Sequence, residues 1–228
     1  MKKLLFAILA IGTLFSLINL SAAEIKSSTD TSWYVLYPDI PWVNVEKDNV
    51  YGVNLGLPVS SGNINNVYGI DAGVFGCNSK NIYGIQMSPL ANCSNNVEGL
   101  QVALANVVNK NISGVLLGIF NIVNGKSDAL QFGLINNVNK NASICQLGGI
   151  ANNVNKSFRG FQMAFLNNVD NNVNGLQIAI INNVNNKTDG VQIGIVNNTS
   201  SCHGIQFGLI NIIQDSWIPF MPLVNFSF

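Results

Sequence analysis

From Asn49 onward the chain repeats itself. Stretches beginning Gly99-Leu100-Gln101, Gly175-Leu176-Gln177, Gly190-Val191-Gln192 and Gly204-Ile205-Gln206 align as one unit: Gly, apolar, Gln, apolar, small, apolar, apolar, Asn. Unit starts fall at 52, 69, 84, 99, 114, 129, 144, 160, 175, 190 and 204, so the spacings are 17, 15, 15, 15, 15, 15, 16, 15, 15 and 14. A short fixed period means that one small structural unit is stacked many times, each copy burying itself only against its neighbours. Ala129 and Ile144 replace the Gly, Leu116 replaces the Gln, and the early units carry Asn54 and Asp71 where Gln belongs.

Counting from the Gly as offset zero, apolar residues at offsets one, three and five alternate with Gly, Gln and Gly or Ala, as in Leu176, Ile178 and Ile180. Alternation with period two is the signature of a strand. Offset nine is also apolar in most units (Val108, Val123, Val138, Val169, Val184), as is offset thirteen in many (Val97, Ile112, Val173). Polar triplets such as Asn109-Lys110-Asn111 separate these two positions and read as turns.

Two architectures put a strand and turns into so short a unit. One is a parallel β-solenoid, an all-β fold of tandem 15-residue repeats with capping end segments. The alternative is an antiparallel β-meander closed as an outer-membrane barrel, aliphatic side chains facing lipid. A spanning strand needs an apolar band of roughly 9 to 11 residues, whereas offset seven here is Asn in most units (Asn106, Asn121, Asn136, Asn167). Junctions are uniform in length, and no Pro occurs between Leu90 and Ile218, as expected where every backbone N–H enters a ladder. The solenoid is therefore the expected fold, with offsets one, three and five inside and the Gln row outside. On that assignment Ile178→Ala is expected to cost about 2 to 5 kcal/mol, and Gln177→Ala about 0.5 to 1.5 kcal/mol.

Composition fits stacking. The chain has 11 Lys+Arg against 11 Asp+Glu, only 10% charged residues and 37 Asn. Amides can lie over their own copies about 4.8 Å apart, where like charges would repel. Zero net charge gives no footprint for nucleic acid. At the start, Lys2 and Lys3 precede an apolar run from Leu4 to Leu20, and Ser21-Ala22-Ala23 supplies a cleavage rule. Residues 1–23 are thus expected to be a signal peptide, 24–50 an N-terminal cap, 51–211 the eleven-unit repeat domain and 212–228 a C-terminal cap strand. All three Trp (Trp33, Trp42, Trp217) lie in the end segments.

The units Gln131-Phe132-Gly133-Leu134-Ile135-Asn136 and Gly204 to Asn211, followed by the Pro-rich end Ile218 to Phe228, resemble bacterial surface-repeat proteins of unknown function. The resemblance covers roughly residues 51–228 and implies a surface or envelope location without supplying a catalytic residue.

Reactive chemistry is sparse. His203 is the only His and adjoins Cys202 in a turn, which reads as a solvated position rather than a nucleophilic pair. Glu98 and Asp128 would stack two coils apart, near the separation of inverting glycosidase carboxyls, but as turn acids they read as solvated. Among the four Cys, Cys93 and Cys145 read as buried small hydrophobes, and Cys77 and Cys93 sit one coil apart as a candidate disulfide. No metal or cofactor is expected. The candidate ligand face is the Gln row, Gln86, Gln101, Gln131, Gln146, Gln162, Gln177, Gln192 and Gln206, whose alternative reading is a structural amide ladder that tolerates solvent. The expected function is that of a non-enzymatic exported repeat protein with a structural or adhesive role at the cell surface, outer membrane or periplasm of a bacterium, contacting envelope or host surface. An outer-membrane barrel is the alternative.

Overall fold

A computed structural model describes residues 23–26, 32–38, 43–57, 59–61 and 63–227, with the side chains of 49–56, 60 and 64–227. Residues 1–22 of the expected signal peptide, and Trp42, lie outside the described residues. Successive units pair in parallel and in register: Gly84 lies on Gly69, Gly99 on Gly84, Gly114 on Gly99 and Asn121 on Asn106. The coils stack as a β-solenoid of about nine turns. This overturns the barrel alternative, because a meander reverses direction at every unit and these units do not.

The segment before the repeats continues the stacking. Ala23–Lys26 runs parallel to Val43–Glu46, and Ser32–Pro38 runs parallel to residues 50–57. At the other end Phe220–Ser227 turns back antiparallel along the last coil, with Phe226 opposite Ile205 and Val224 opposite Phe207. That strand occupies the edge that would otherwise be an open row of backbone donors and acceptors.

The strand periodicity is as expected, but its inner and outer sides are the reverse of the expected assignment. Gln177 is fully buried, whereas Ile178 is half-buried and Ile180 exposed. Parity explains the reversal. Val173 at offset thirteen is buried, and along an unbroken strand a residue three positions later must point the opposite way. With Val173 inside, Leu176, Ile178 and Ile180 fall outside and Gly175, Gln177 and Ala179 inside. The core consists of the rows at offsets nine and thirteen, including Val108, Val123, Val138, Val97 and Ile112, with Val154 and Phe158 standing in register with them.

A coil this short encloses a thin interior. A Cβ added to Gly175 (φ +145°) would meet the Gly160 carbonyl oxygen at 2.0 Å, and one on Gly133 would meet the Gly118 oxygen at 2.8 Å. Val, Ala and laddered amides fit such a space; stacked rows of Leu, Phe and Met do not, and these go to the outer side. At the Gly row, Ile144 is the exception that takes a positive φ of 80° with a side chain.

Offsets five and six both point outward, as at Ile180 and Ile181, and this is only compatible with a bend in the strand between them. The bend makes a corner. The corner holds an extra residue in the coils that start at 52, 69 and 84, at Ser88-Pro89-Leu90 in the last of these, and again at Gly149, and the pairing register shifts where such a coil meets one without it. This displaces Cys93 by one position.

Candidate functional surface

Each candidate Gln is buried, so the row is a structural ladder and the expected ligand face is corrected. Gln101 Nε2 donates to Gln86 Oε1 (2.5 Å), Gln146 to Gln131 (2.8 Å), Gln162 to Gln146 (2.6 Å), Gln177 to Gln162 (2.7 Å), Gln192 to Gln177 (2.9 Å) and Gln206 to Gln192 (2.7 Å). Every donor points toward the N-terminal end. The donors of Gln101 and Gln86 lead to Asp71, which is fully buried and accepts at both carboxyl oxygens. Gln86 (2.9 Å) and Ser79 (2.9 Å) donate to its Oδ2, and Asn54 (2.7 Å) and Ser60 (2.5 Å) to its Oδ1. Asp71 is therefore the carboxylate on which the ladder ends, with four neutral donors compensating its burial. Where Leu116 interrupts the row, Gln101 Oε1 is left buried without a partner and Gln131 turns to Ser127 instead (2.7 Å).

A second ladder runs the other way. The Asn at offset seven donates toward the C-terminal end, Asn106 to Asn121 (3.0 Å), Asn121 to Asn136 (2.8 Å) and Asn182 to Asn197 (2.8 Å). The same amide groups also reach a backbone carbonyl at offset three of the next coil, Asn106 to Leu117 (2.9 Å), Asn121 to Phe132 (2.9 Å) and Asn182 to Ile193 (2.9 Å). Bending a strand frees backbone groups, and a buried carbonyl left unpaired is costly. The Asn row satisfies the carbonyls at the corner, which is why Asn recurs there.

With the interior polar groups consumed in this way, the surface is what the molecule has to offer, and it is divided in two. On one side, offsets one, three, five and six form an apolar ridge along the corner. Its crest is the offset-five row, with Leu104 48% exposed, Leu134 45%, Phe165 61%, Ile195 48% and Leu209 61%. From Gly84 to Ile213 no charged residue lies between offsets zero and eight. On the other side, from offset ten onward, come the turns, carrying Lys110, Lys126, Lys140, Lys156, Asp170 and Lys187.

The turn edge also carries the row just before the Gly. It starts as a stack of Tyr51 on Tyr68 (centroids 4.9 Å) and Tyr68 on Tyr83 (4.8 Å), then continues in register through Glu98, Ser113, Asp128, Ser143, Arg159 and Asn174. The stacking covers both faces of the Tyr68 ring and one face each of Tyr51 and Tyr83. Glu98 and Asp128 do stand two levels apart with Ser113 between them. Ser143 donates to Asp128, and Lys187 pairs with Asp189 at 2.6 Å. An open cleft of about 310 Å³ lies here among Asp128, Ser143, Arg159, Asn174 and Asp189.

The thiols do not form a reactive site. Cys202 is buried and His203 exposed, on opposite sides of one strand, so they do not make a pair. Burial pushes the Cys202 thiol up to about 11, with Asp189 adding to the rise and Lys187 opposing it. Cys77 faces inward and is raised by burial and then by Asp71. Cys77 pairs with Asn92, and Cys93 with Asn78 on the outer side, so the two thiols point apart and remain free. Cys145 lies beside Leu130 and Phe161 on the ridge and is half-buried, and Cys93 is half-buried too, which corrects the expectation that both are buried.

Comparison of the chain with protein-family models, with curated proteins and with solved structures finds no match. The site must be read from its own chemistry. Sequence reasoning missed the ridge and the Asp71 node; the ridge had two signals, the parity between offsets thirteen and one and the confinement of charge to offsets ten onward, and the node had none within a single unit.

Proposed function

We propose that the chain is a non-enzymatic exported repeat protein of the bacterial cell surface or envelope, whose role is structural or adhesive. The observation that carries this reading is the division of labour across the coil. Interior amides are spent on holding levels together, burial raises the thiol pKa values, and the ridge side of the outer surface repeats the same few apolar side chains from level to level. A ridge of repeated rows suits contact with an extended, repetitive counterpart better than recognition of one small molecule, and the cleft among Asp128, Ser143, Arg159, Asn174 and Asp189 is open rather than enclosed. The N-terminal segment, with its charged start, apolar run and small-residue cleavage rule, supports export.

Labelling intact cells of the source organism with a membrane-impermeant amine reagent tests the location. Lys110, Lys126, Lys140 and Lys156 are exposed on the turn edge and should be modified. Mass spectrometry that finds these lysines labelled only after lysis overturns a surface location, and one that finds residues 1–23 still attached to the mature protein overturns cleavage at Glu24.

A further inference from the structure

We propose that the apolar ridge is a lipid-inserting surface that seats the chain in the uncharged hydrocarbon border of a membrane leaflet. The inference deepens the envelope reading above and rests on it for access to a membrane.

The ridge is too large to be incidental. From Ile85 to Ile205 at about 4.8 Å per level it runs for about 40 Å, and offsets one to six span about 17 Å at about 3.3 Å per residue. The resulting area of about 650 Å² exceeds the roughly 300 to 600 Å² of the largest apolar patch on an ordinary monomer. Its shape and charge decide what covers it. Because offsets five and six both point outward, the ridge is convex, with flanks on either side of the Leu134 and Phe165 crest. A second copy packing sheet on sheet meets one face of a convex ridge at a time. It could cover one flank, about 520 Å² for offsets one to five by the same spacings, short of the roughly 800 Å² per partner of a stable interface. Hydrocarbon is deformable and can cover both flanks.

The charge pattern points the same way. The absence of charge between offsets zero and eight from Gly84 to Ile213, with lysines and acids confined to the far edge, is the amphipathic division of a body lying in a membrane interface. The strand Phe220–Ser227 extends the apolar surface by one level, placing Phe226 (56% exposed) beside Ile205 and Val224 beside Phe207. The lysines lie away from the ridge, so attachment is expected to depend on burial of apolar surface rather than on anionic lipid.

Flotation of the full exported chain with vesicles of phosphatidylcholine alone tests this, the protein being diluted from detergent. The expected result is that the chain floats with the vesicles equally at low and high salt. Leu134→Asp, Phe165→Asp and Ile195→Asp combined should lower the bound-to-free ratio by at least about tenfold, because three crest side chains no longer enter hydrocarbon. The milder triple change of the same residues to Thr should lower it by less, and Lys110→Glu with Lys140→Glu should leave it unchanged. An infrared amide I band unchanged from wild type shows that each variant remains folded. Three outcomes overturn the proposal: a wild-type chain that stays with the soluble fraction, flotation that requires anionic lipid and is lost at high salt, or a dimer that the Asp variant converts to monomer while neither protein floats. None of these touches the labelling test of surface location, so the two readings fail separately.

Discussion

Gln177 and Ile178 are adjacent residues on one strand with opposite fates, and they stand for two regions of the molecule. In the interior, polar side chains are buried and laddered; on the ridge, aliphatic side chains are exposed. In an ordinary domain the two would trade places. The difference teaches that burial in a stacked fold is governed by whether a side chain repeats well on itself. An amide offers a donor to one neighbour and an acceptor to the other, so a column of Gln satisfies itself at every level except its ends. A column of Leu or Phe gains nothing comparable and needs width that the thin coil lacks.

The comparison is broken most severely by removing the space that the inner side requires. Gly175→Ala forces a Cβ to within 2.0 Å of the Gly160 oxygen at a φ of +145°, and a loss of more than about 4 kcal/mol is expected. Urea unfolding should show the variant unfolded or nearly so at low denaturant.

Next in size is the pair that tests inside against outside. Gln177→Ala removes both the bond to Gln162 and the one from Gln192, leaving a buried acceptor and a buried donor orphaned at about 1 to 3 kcal/mol each. A total cost of about 3 to 5 kcal/mol is expected. Ile178→Ala, at a half-buried outer position, should cost less than about 1.5 kcal/mol. Equal urea midpoints for the two variants, or the reverse order, contradict the burial described above.

Two positions where the interior rule lapses sharpen the comparison by repair. Leu116→Gln restores the interrupted ladder by giving Gln101 Oε1 the donor it lacks, and a gain of about 1 kcal/mol is expected. Ile144→Gly relieves a β-branched residue at φ 80° whose side chain is half exposed, with a similar gain of about 1 kcal/mol. Thermal unfolding midpoints that fall in both variants would count against the ladder and the glycine row as described.

The smallest effect expected is on pH dependence. The Cys202 thiol rises from 9.0 to about 11 on folding, first through burial. The unfolded chain therefore loses this proton before the folded one does, and the contribution is present below pH 9 and lost as pH rises toward 11. Stability should decline across that window, and by less in Cys202→Ala; identical slopes for the two proteins contradict the assignment.

Much of the fold was legible in the sequence. The Gly-to-Gly spacing located the coils, and the uniform junctions, the Asn at offset seven and the missing Pro favoured a stacked solenoid over a membrane barrel. The inner and outer sides were misassigned because apolar character was equated with burial, although Val173 and Leu176 lie three residues apart on one strand and cannot share a side. The Gln row was accordingly placed on the outside, as a candidate ligand face or a solvent-tolerant ladder, rather than in the interior. The displacement of Cys93 was hidden because the extra corner residue at Pro89 is offset by a shorter turn, so the unit spacing from 84 to 99 stays at 15. Asp71 looked like a degenerate Gln, and its role as the common acceptor for Asn54, Ser60, Ser79 and Gln86 depends on contacts between levels that no single unit encodes.

The central claim, that the amide rows are the dry interior, is tested most directly by hydrogen exchange at the side-chain amides, followed by NMR on protein labelled at Gln nitrogen. The Nε2 protons of Gln146, Gln162, Gln177 and Gln192, each donating within the ladder, are expected to exchange only through opening of the coils, as slowly as the backbone amides of the same strands. Side-chain protons that exchange as fast as those of free glutamine, while the backbone stays protected, would place the Gln row in water and contradict the account.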